Sequence, residues 1–107
     1  MLKSKQQVHF EEHGTTLTAR ICGEIDHHSA ASLRRELDDY IERHRPTVLR
    51  LDASAVDFMD SSGLGLMMGR YALLQRLGGR FVLCHPTEQV LRIVRMAGME
   101  RMITIET

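Results

Sequence analysis

Thr47-Val48-Leu49-Arg50-Leu51-Asp52 and Arg80-Phe81-Val82-Leu83-Cys84 are two short apolar runs, and between them Asp60-Ser61-Ser62-Gly63-Leu64-Gly65 opens a stretch that closes at Gly78-Gly79. Each run has the length and composition of a buried strand, and the stretch between them has the length of a helix. A loop is expected from the end of the first run to Asp60. Strand, helix, strand in that order is the repeating unit of a parallel sheet.

Upstream, Val8 to Glu12 alternates weakly, His13-Gly14 supplies a turn, and Thr16 to Cys22 alternates with Leu17, Ala19 and Ile21 on one face. Two short strands around a glycine turn read as a hairpin. From Ser29 to His44 the period becomes helical: Ala30, Leu33, Leu37, Tyr40 and Ile41 share one face, and Arg34, Arg35, Asp38, Asp39 and Glu42 the other. Ser29 or Asp26 can cap its start, and Pro46 marks its end. Downstream, Thr87 caps a third helix with Glu88 in its first turn, Val90, Leu91, Val94 and Ala97 are expected inward, and Gly98 ends it. Met102 to Ile105 reads as a last strand. The chain is thus expected to be a single α/β domain, with a mixed, mostly parallel sheet, an N-terminal hairpin and about three to four α-helices.

The 107 residues are 43% hydrophobic and 26% charged, with 14 basic and 14 acidic side chains. A neutral balance without a basic stripe argues against a direct nucleic-acid ligand. The basic spots Arg34-Arg35 and Arg43-His44-Arg45 are interleaved with acids and read as solvated helix face. Residues Met1 to Gln7 lack the apolar stretch of a signal peptide, and no segment approaches the length of a membrane span. Cys22 and Cys84 have no partner at CxxC spacing and read as small core residues of a reduced cytoplasm.

The segment richest in information is Asp60-Ser61-Ser62-Gly63. Three capping-type residues stand at a helix N-terminus, where amides lack internal partners and an anion is favoured. Only one of the three is needed as a cap. Gly65 and Gly69 sit four apart in that helix, each costing about 1 kcal/mol relative to alanine, and close approach of a strand or a partner would explain them. No P-loop lysine follows, and GxGxxG is absent. The helix is apolar nearly all round, with Leu64, Met67, Tyr71 and Leu74 in one stripe and Leu66, Met68, Leu73 and Leu77 in another, as in a central buried helix.

The second polar cluster is Gly23-Glu24-Ile25-Asp26-His27-His28. Carboxylates and imidazoles suggest acid–base or metal chemistry on paper, but His9, His13, His44 and His85 have no ligand spacing. Ser61 lies in no GxSxG elbow. No catalytic residue, metal site or cofactor is expected here; a loop cap or a binding surface is the better reading.

Gly23 to Ala30 together with Phe58 to Gly65, continued through Gly69-Arg70-Tyr71, the Cys84 strand and Met96-Ala97-Gly98, resembles the STAS domain of bacterial anti-sigma factor antagonists. The similarity spans nearly the whole chain, so residues 1–107 read as one STAS domain. The paired histidines after Gly-Glu-Ile-Asp look like the sporulation branch, the anti-sigma-F antagonists. The resemblance implies partner switching in the cytoplasm. Unphosphorylated antagonist binds an anti-sigma factor that is also a serine kinase, and so frees the sigma factor. The kinase phosphorylates the first serine of Asp-Ser-Ser-Gly, Ser61 here, and a PP2C-type phosphatase restores it. Asp26 falls at a kinase-contacting position, Ser62 at the serine that influences phosphorylation, and Asp60, Gly63 and Leu64 complete the expected partner surface. Alternatives are a stressosome-type scaffold and a nucleotide-binding regulatory module.

Overall fold

Leu17, Ala19 and Ile21 are fully buried while Arg20 between them is exposed, so strand alternation sets which face of the sheet is covered. The computed structural model describes residues 6–107, and the reading of the first five residues lies outside them. The elements are β1 (Val8–His13), β2 (Thr16–Ile25), α1 (Ala30–His44), β3 (Val48–Met59), α2 (Ser61–Arg76), β4 (Arg80–Cys84), α3 (Glu88–Met96), a 3-10 turn (Met99–Arg101) and β5 (Thr104–Glu106). The sheet order is β1-β2-β3-β4-β5, with the β1–β2 pair antiparallel and the other pairs parallel. Gly14, at φ +60°, turns the hairpin between His13 and Thr16. Sequential parallel strands joined by right-handed crossovers put successive helices on the same side of a sheet. One face is therefore core, and the other carries Thr18, Arg20, Arg50, Asp52 and Glu106, with Arg50 and Glu106 paired at 2.7 Å.

The expected loop after Asp52 is instead strand. Pairing of β3 with β4 stops at Asp52 opposite Cys84, yet β3 continues along β2 until Met59 lies opposite Ile25. Two register shifts place extra residues in β3, so its buried positions Ala53, Val56 and Met59 recur every third residue. Bulges thus erase the period of two by which a strand is recognised.

The helix α2 is central, touching α1, α3, β3 and β4, which accounts for its apolar circumference; Leu66, Met67, Leu73 and Leu74 are buried. In α1, Leu33, Leu37 and Ile41 are buried, and Tyr40 stacks between Phe10 and His44 with ring centroids 4.0 and 4.3 Å away. Asp38, expected on the solvated face, instead meets the buried Arg70 of α2, Oδ1 to Nε 2.9 Å. The two charges meet without an aligned hydrogen bond, while Nη1 donates to the Leu66 carbonyl at 3.3 Å. Burial pulls the Arg70 pKa down, and Asp38 opposes that pull. In α3 the Thr87 hydroxyl accepts from the Val90 amide, and Val90 and Val94 are buried. Leu91 is only half-buried and Ala97 is exposed, because the helix ends at Met96; Met99 and Ile103 fill the core there. Neither cysteine lies on the core face: Cys84 is buried on the opposite face, opposite Asp52 with its Sγ 3.8 Å from Glu106 Oε1, and Cys22 is half-buried beside Ala55.

Candidate functional site

Two loops leave the C-terminal ends of neighbouring strands side by side. Ile25 ends β2 and Met59 ends β3, and they are register partners. The Asp60 amide donates to the Ile25 carbonyl at 3.1 Å, tying the second loop to the first.

The loop after β3 is a helix start with an assigned cap. Asp60 is extended, its Oδ1 accepts from the Ser62 amide at 2.8 Å, and its carbonyl accepts from the Gly63 amide at 3.0 Å. The sequence left three cap candidates; Asp60 fills the role, as an extended N-cap with a short acceptor does. Ser61 is therefore free of that duty and is exposed at the first helical position. Ser62 is half-buried, Gly63 buried and Leu64 partly buried. Gly63 has a packing reason: a Cβ there would collide with the side chain of Met59, which is itself fully buried. Gly65 and Gly69 do not. An added Cβ at either meets nothing within 4 Å, so close approach within the chain does not explain them among the described residues.

The outer edge of Met59, where β4 no longer runs, is taken by Gln89 of α3. The Gln89 Oε1 accepts from the Met59 amide at 2.9 Å, and its Nε2 donates to the Met59 carbonyl at 2.8 Å. Sequence reasoning missed Gln89. Nothing in a lone glutamine in a helix's first turn announces a partner thirty residues upstream. It placed Phe58 in the motif without a role, and the structure leaves that side chain 45% exposed directly beside Met59.

The loop after β2 is held by Asp26 and Ser29 together. Asp26 Oδ1 accepts from the amides of His28 and Ser29 at 2.9 and 3.0 Å. The Ser29 hydroxyl accepts from the Asp26 amide at 3.0 Å and donates to the Glu24 carbonyl at 2.9 Å. The backbone bond from Ser29 is the main reason that the Asp26 carboxyl sits below its ordinary pKa. Asp26 thus caps the turn leading into α1, while Ser29 stands at the N-cap position without a side-chain bond to the helix.

Between the loops, His27, Ala30, Ala31, Arg34, Ser62 and Gly65 line a groove of about 380 Å³ between α1 and α2. Asp26 also borders a second hollow, of about 690 Å³, together with Cys22, Gly23, Glu24, Ala55 and Asp57. The His27 and His28 rings stand edge to face, 5.7 Å apart. His13 and His44 lie instead against Glu11 and Glu12. Among the described residues no three His, Cys, Asp or Glu side chains are grouped to hold a metal, and no helix is long and apolar enough to cross a membrane. The structure therefore brings Asp26, Asp60, Ser61, Ser62, Gly63 and Leu64 to one end of the sheet. What it offers chemically is an exposed hydroxyl on a capped helix start, next to a groove that Ser62 and Gly65 help to line.

The STAS domain profile matches residues 7–107. The anti-sigma F factor antagonist of Paenibacillus polymyxa is 35% identical over 99 residues, 92% of this chain and 85% of the relative. The anti-sigma-B factor antagonist of Bacillus subtilis (strain 168) is 31% identical over 98 residues, 92% of this chain and 88% of the relative. Among solved structures, the anti-sigma factor antagonist SpoIIAA in its unphosphorylated form superposes with a TM-score of 0.80 at 29% identity, covering 94% of this chain and 88% of its own. The phosphorylated form of the Bacillus cell fate determinant SpoIIAA gives 0.73 at 28% identity, covering 94% and 91%. The chain belongs to the STAS domain family.

Proposed function

We propose that this protein is a cytoplasmic anti-sigma factor antagonist, switched off by phosphorylation at Ser61. In this reading the unphosphorylated form binds an anti-sigma factor that is also a serine kinase and releases the sigma factor, and a PP2C-type phosphatase reverses the modification. Residues 1–107 act as one binding domain, with no catalytic residue, no nucleic-acid contact and no membrane contact of its own. The similarity to antagonists known in phosphorylated and unphosphorylated forms supports it. The observation that carries the assignment is the division of labour at α2: Asp60 is the cap, and Ser61 stands exposed beside it.

Phosphorylation would add about −1.5 to −2 charges next to the Asp60 carboxylate. Free in solution, the helix start and water accommodate that charge. Against a packed partner the phosphate must shed water near a carboxylate that is already there. A hundredfold loss of affinity needs only about 2.7 kcal/mol, which one poorly solvated dianion supplies without a change of fold. Asp26, Ser62, Gly63 and Leu64 serve as partner surface, and resemblance to the anti-sigma F antagonists favours a sporulation role.

Incubation with a candidate kinase-type anti-sigma factor and ATP, followed by mass mapping, tests the reading. Phosphate is expected on Ser61, and Ser61→Ala is expected to accept none while still binding the anti-sigma factor. Phosphate on Ser62 in the wild-type chain, or loss of binding in Ser61→Ala, would overturn it.

A further inference from the structure

We infer that Gln89 is a positioning residue for phosphate transfer to Ser61, an inference that rests on the reading of Ser61 as the acceptor. Among the described residues, β3 has a strand neighbour on one side only beyond Asp52, since its pairing with β4 ends opposite Cys84. Met59 is nevertheless fully buried, so its backbone groups on the open side cannot all turn to water. The Gln89 carboxamide offers one acceptor and one donor to the same residue, at 2.9 and 2.8 Å, and so stands in for a missing strand neighbour. On the opposite edge Asp60 is bonded to Ile25, and Gly63 packs on the Met59 side chain. The turn from which Ser61 projects is therefore gripped from β2, from α3 and from below. Gln89 itself is held at its base, because α3 starts on the Thr87 cap.

In the transfer the Ser61 Oγ–P bond forms as the bond from the γ-phosphorus of ATP to ADP breaks, ADP leaves, and the hydroxyl proton passes to a base of the kinase or to water; the acceptor's part is mostly to place its hydroxyl in line. Glutamine is suited to the grip because its amide presents both hydrogen-bonding senses, whereas alanine offers neither and glutamate keeps only the acceptor. Loosening Met59 should leave docking of the partner intact and degrade the alignment of Ser61.

The test uses the 107-residue chain as wild type, Gln89→Ala, Gln89→Glu and Val94→Ala, the last removing buried core volume five residues further along the same helix. Two readouts are taken: kcat and KM for transfer from ATP by a kinase-type anti-sigma factor that binds the wild-type chain, and amide hydrogen exchange with no partner present. In Gln89→Ala we expect kcat to fall about tenfold or more, with KM within about twofold. The Met59 amide should exchange about five- to tenfold faster, the loss of one hydrogen bond. Gln89→Glu should fall between, and Val94→Ala should melt earlier with kcat per folded molecule unchanged. An unchanged kcat in Gln89→Ala, or an equal fall in Val94→Ala, overturns the inference. If wild type takes no phosphate on Ser61, the acceptor reading fails first, and the positioning inference for this reaction falls with it. Exchange at Met59 to Gly63 then still shows whether Gln89 holds the turn.

Discussion

Replacing Gly65 with alanine asks whether the bare stretch of α2 is kept for a partner. Gly65 is the fifth residue of the helix, exposed, and an alanine Cβ built there touches nothing within 4 Å. Its φ lies outside the left-handed region, so an L side chain is not strained. Nothing in the fold opposes the gain in helix propensity, which is about 0.8–1 kcal/mol for glycine to alanine in a helix interior. Close to the helix start, part of that gain is lost, and about 0.5–1 kcal/mol of added stability remains. For a domain of this size the melting temperature should rise by about 3–6 °C. Gly63→Ala is the internal contrast, because its Cβ must displace the buried Met59 side chain, at about 1–3 kcal/mol. Thermal and urea melts read both. If the proposed partner surface extends to Gly65, affinity for the anti-sigma factor, measured by titration calorimetry, should move the other way for Gly65→Ala, weakening by about tenfold or 1.4 kcal/mol as a methyl intrudes. A more stable Gly65→Ala that binds as tightly as wild type would refute the idea that the glycine is reserved for a partner. A destabilised one would refute the packing argument itself.

Three further outcomes follow from the same geometry. Asp38→Ala leaves the Arg70 side chain, 7% exposed, without its counter-ion, whereas Arg70→Met leaves an Asp38 that is 35% exposed and can reach water. Urea melts should show Asp38→Ala losing about 2–3 kcal/mol, below the figure for a fully buried pair because of that exposure, and Arg70→Met losing less; the reverse order would refute the asymmetry. The Asp26 carboxyl is held below its ordinary pKa, so the stability it lends is complete above the unfolded value of about 3.9 and is lost as pH falls through the lower folded value. The stability gap between wild type and Asp26→Ala should therefore close in acid, and a gap that widens there would contradict the cap. The Cys84 thiol is pushed up to about 11, chiefly by burial, so a disulfide reagent at pH 8 should react with Cys22 and reach Cys84 only on unfolding; two equally fast thiols would count against this packing.

The sheet was legible where alternation is unbroken, as in Leu17-Thr18-Ala19-Arg20-Ile21, and the three helices where apolar spacing is regular. It was illegible from Ala53 to Met59, because two bulges turn the buried positions into a three-residue spacing that suits neither template. Asp38 was read as solvated because nothing in one helix's own pattern can anticipate an arginine on another. The cap at α2 was narrowed to three residues, but choosing Asp60 needed the extended backbone before the helix. Gly65 and Gly69 were singled out as costly, and the fold removed half of the first explanation for them: among the described residues, nothing lies within 4 Å of a Cβ added at either. The Asp-Ser-Ser-Gly segment was legible through resemblance, while the grip of Gln89 on it was not, since it depends on where β4 stops.

That stopping point also explains why the site lies where it does. Loops that leave the carboxyl ends of the strands run past the sheet on the surface, where side chains are open to a partner. Here β2 and β3 outrun β4, so a two-stranded tongue carries the Asp26 and Asp60 turns past the rest of the sheet. An unsupported tongue would be a poor platform, because its free edge leaves backbone groups unpaired. The side chain of Gln89 closes that edge at Met59, Ile25 bonds Asp60 from the other side, and Gly63 lets the helix settle directly on Met59. With the backbone fixed on three sides, a charge added at Ser61 has little local conformation to change. In the proposed reading, the effect of that charge would then fall on a docked partner and leave the fold unchanged.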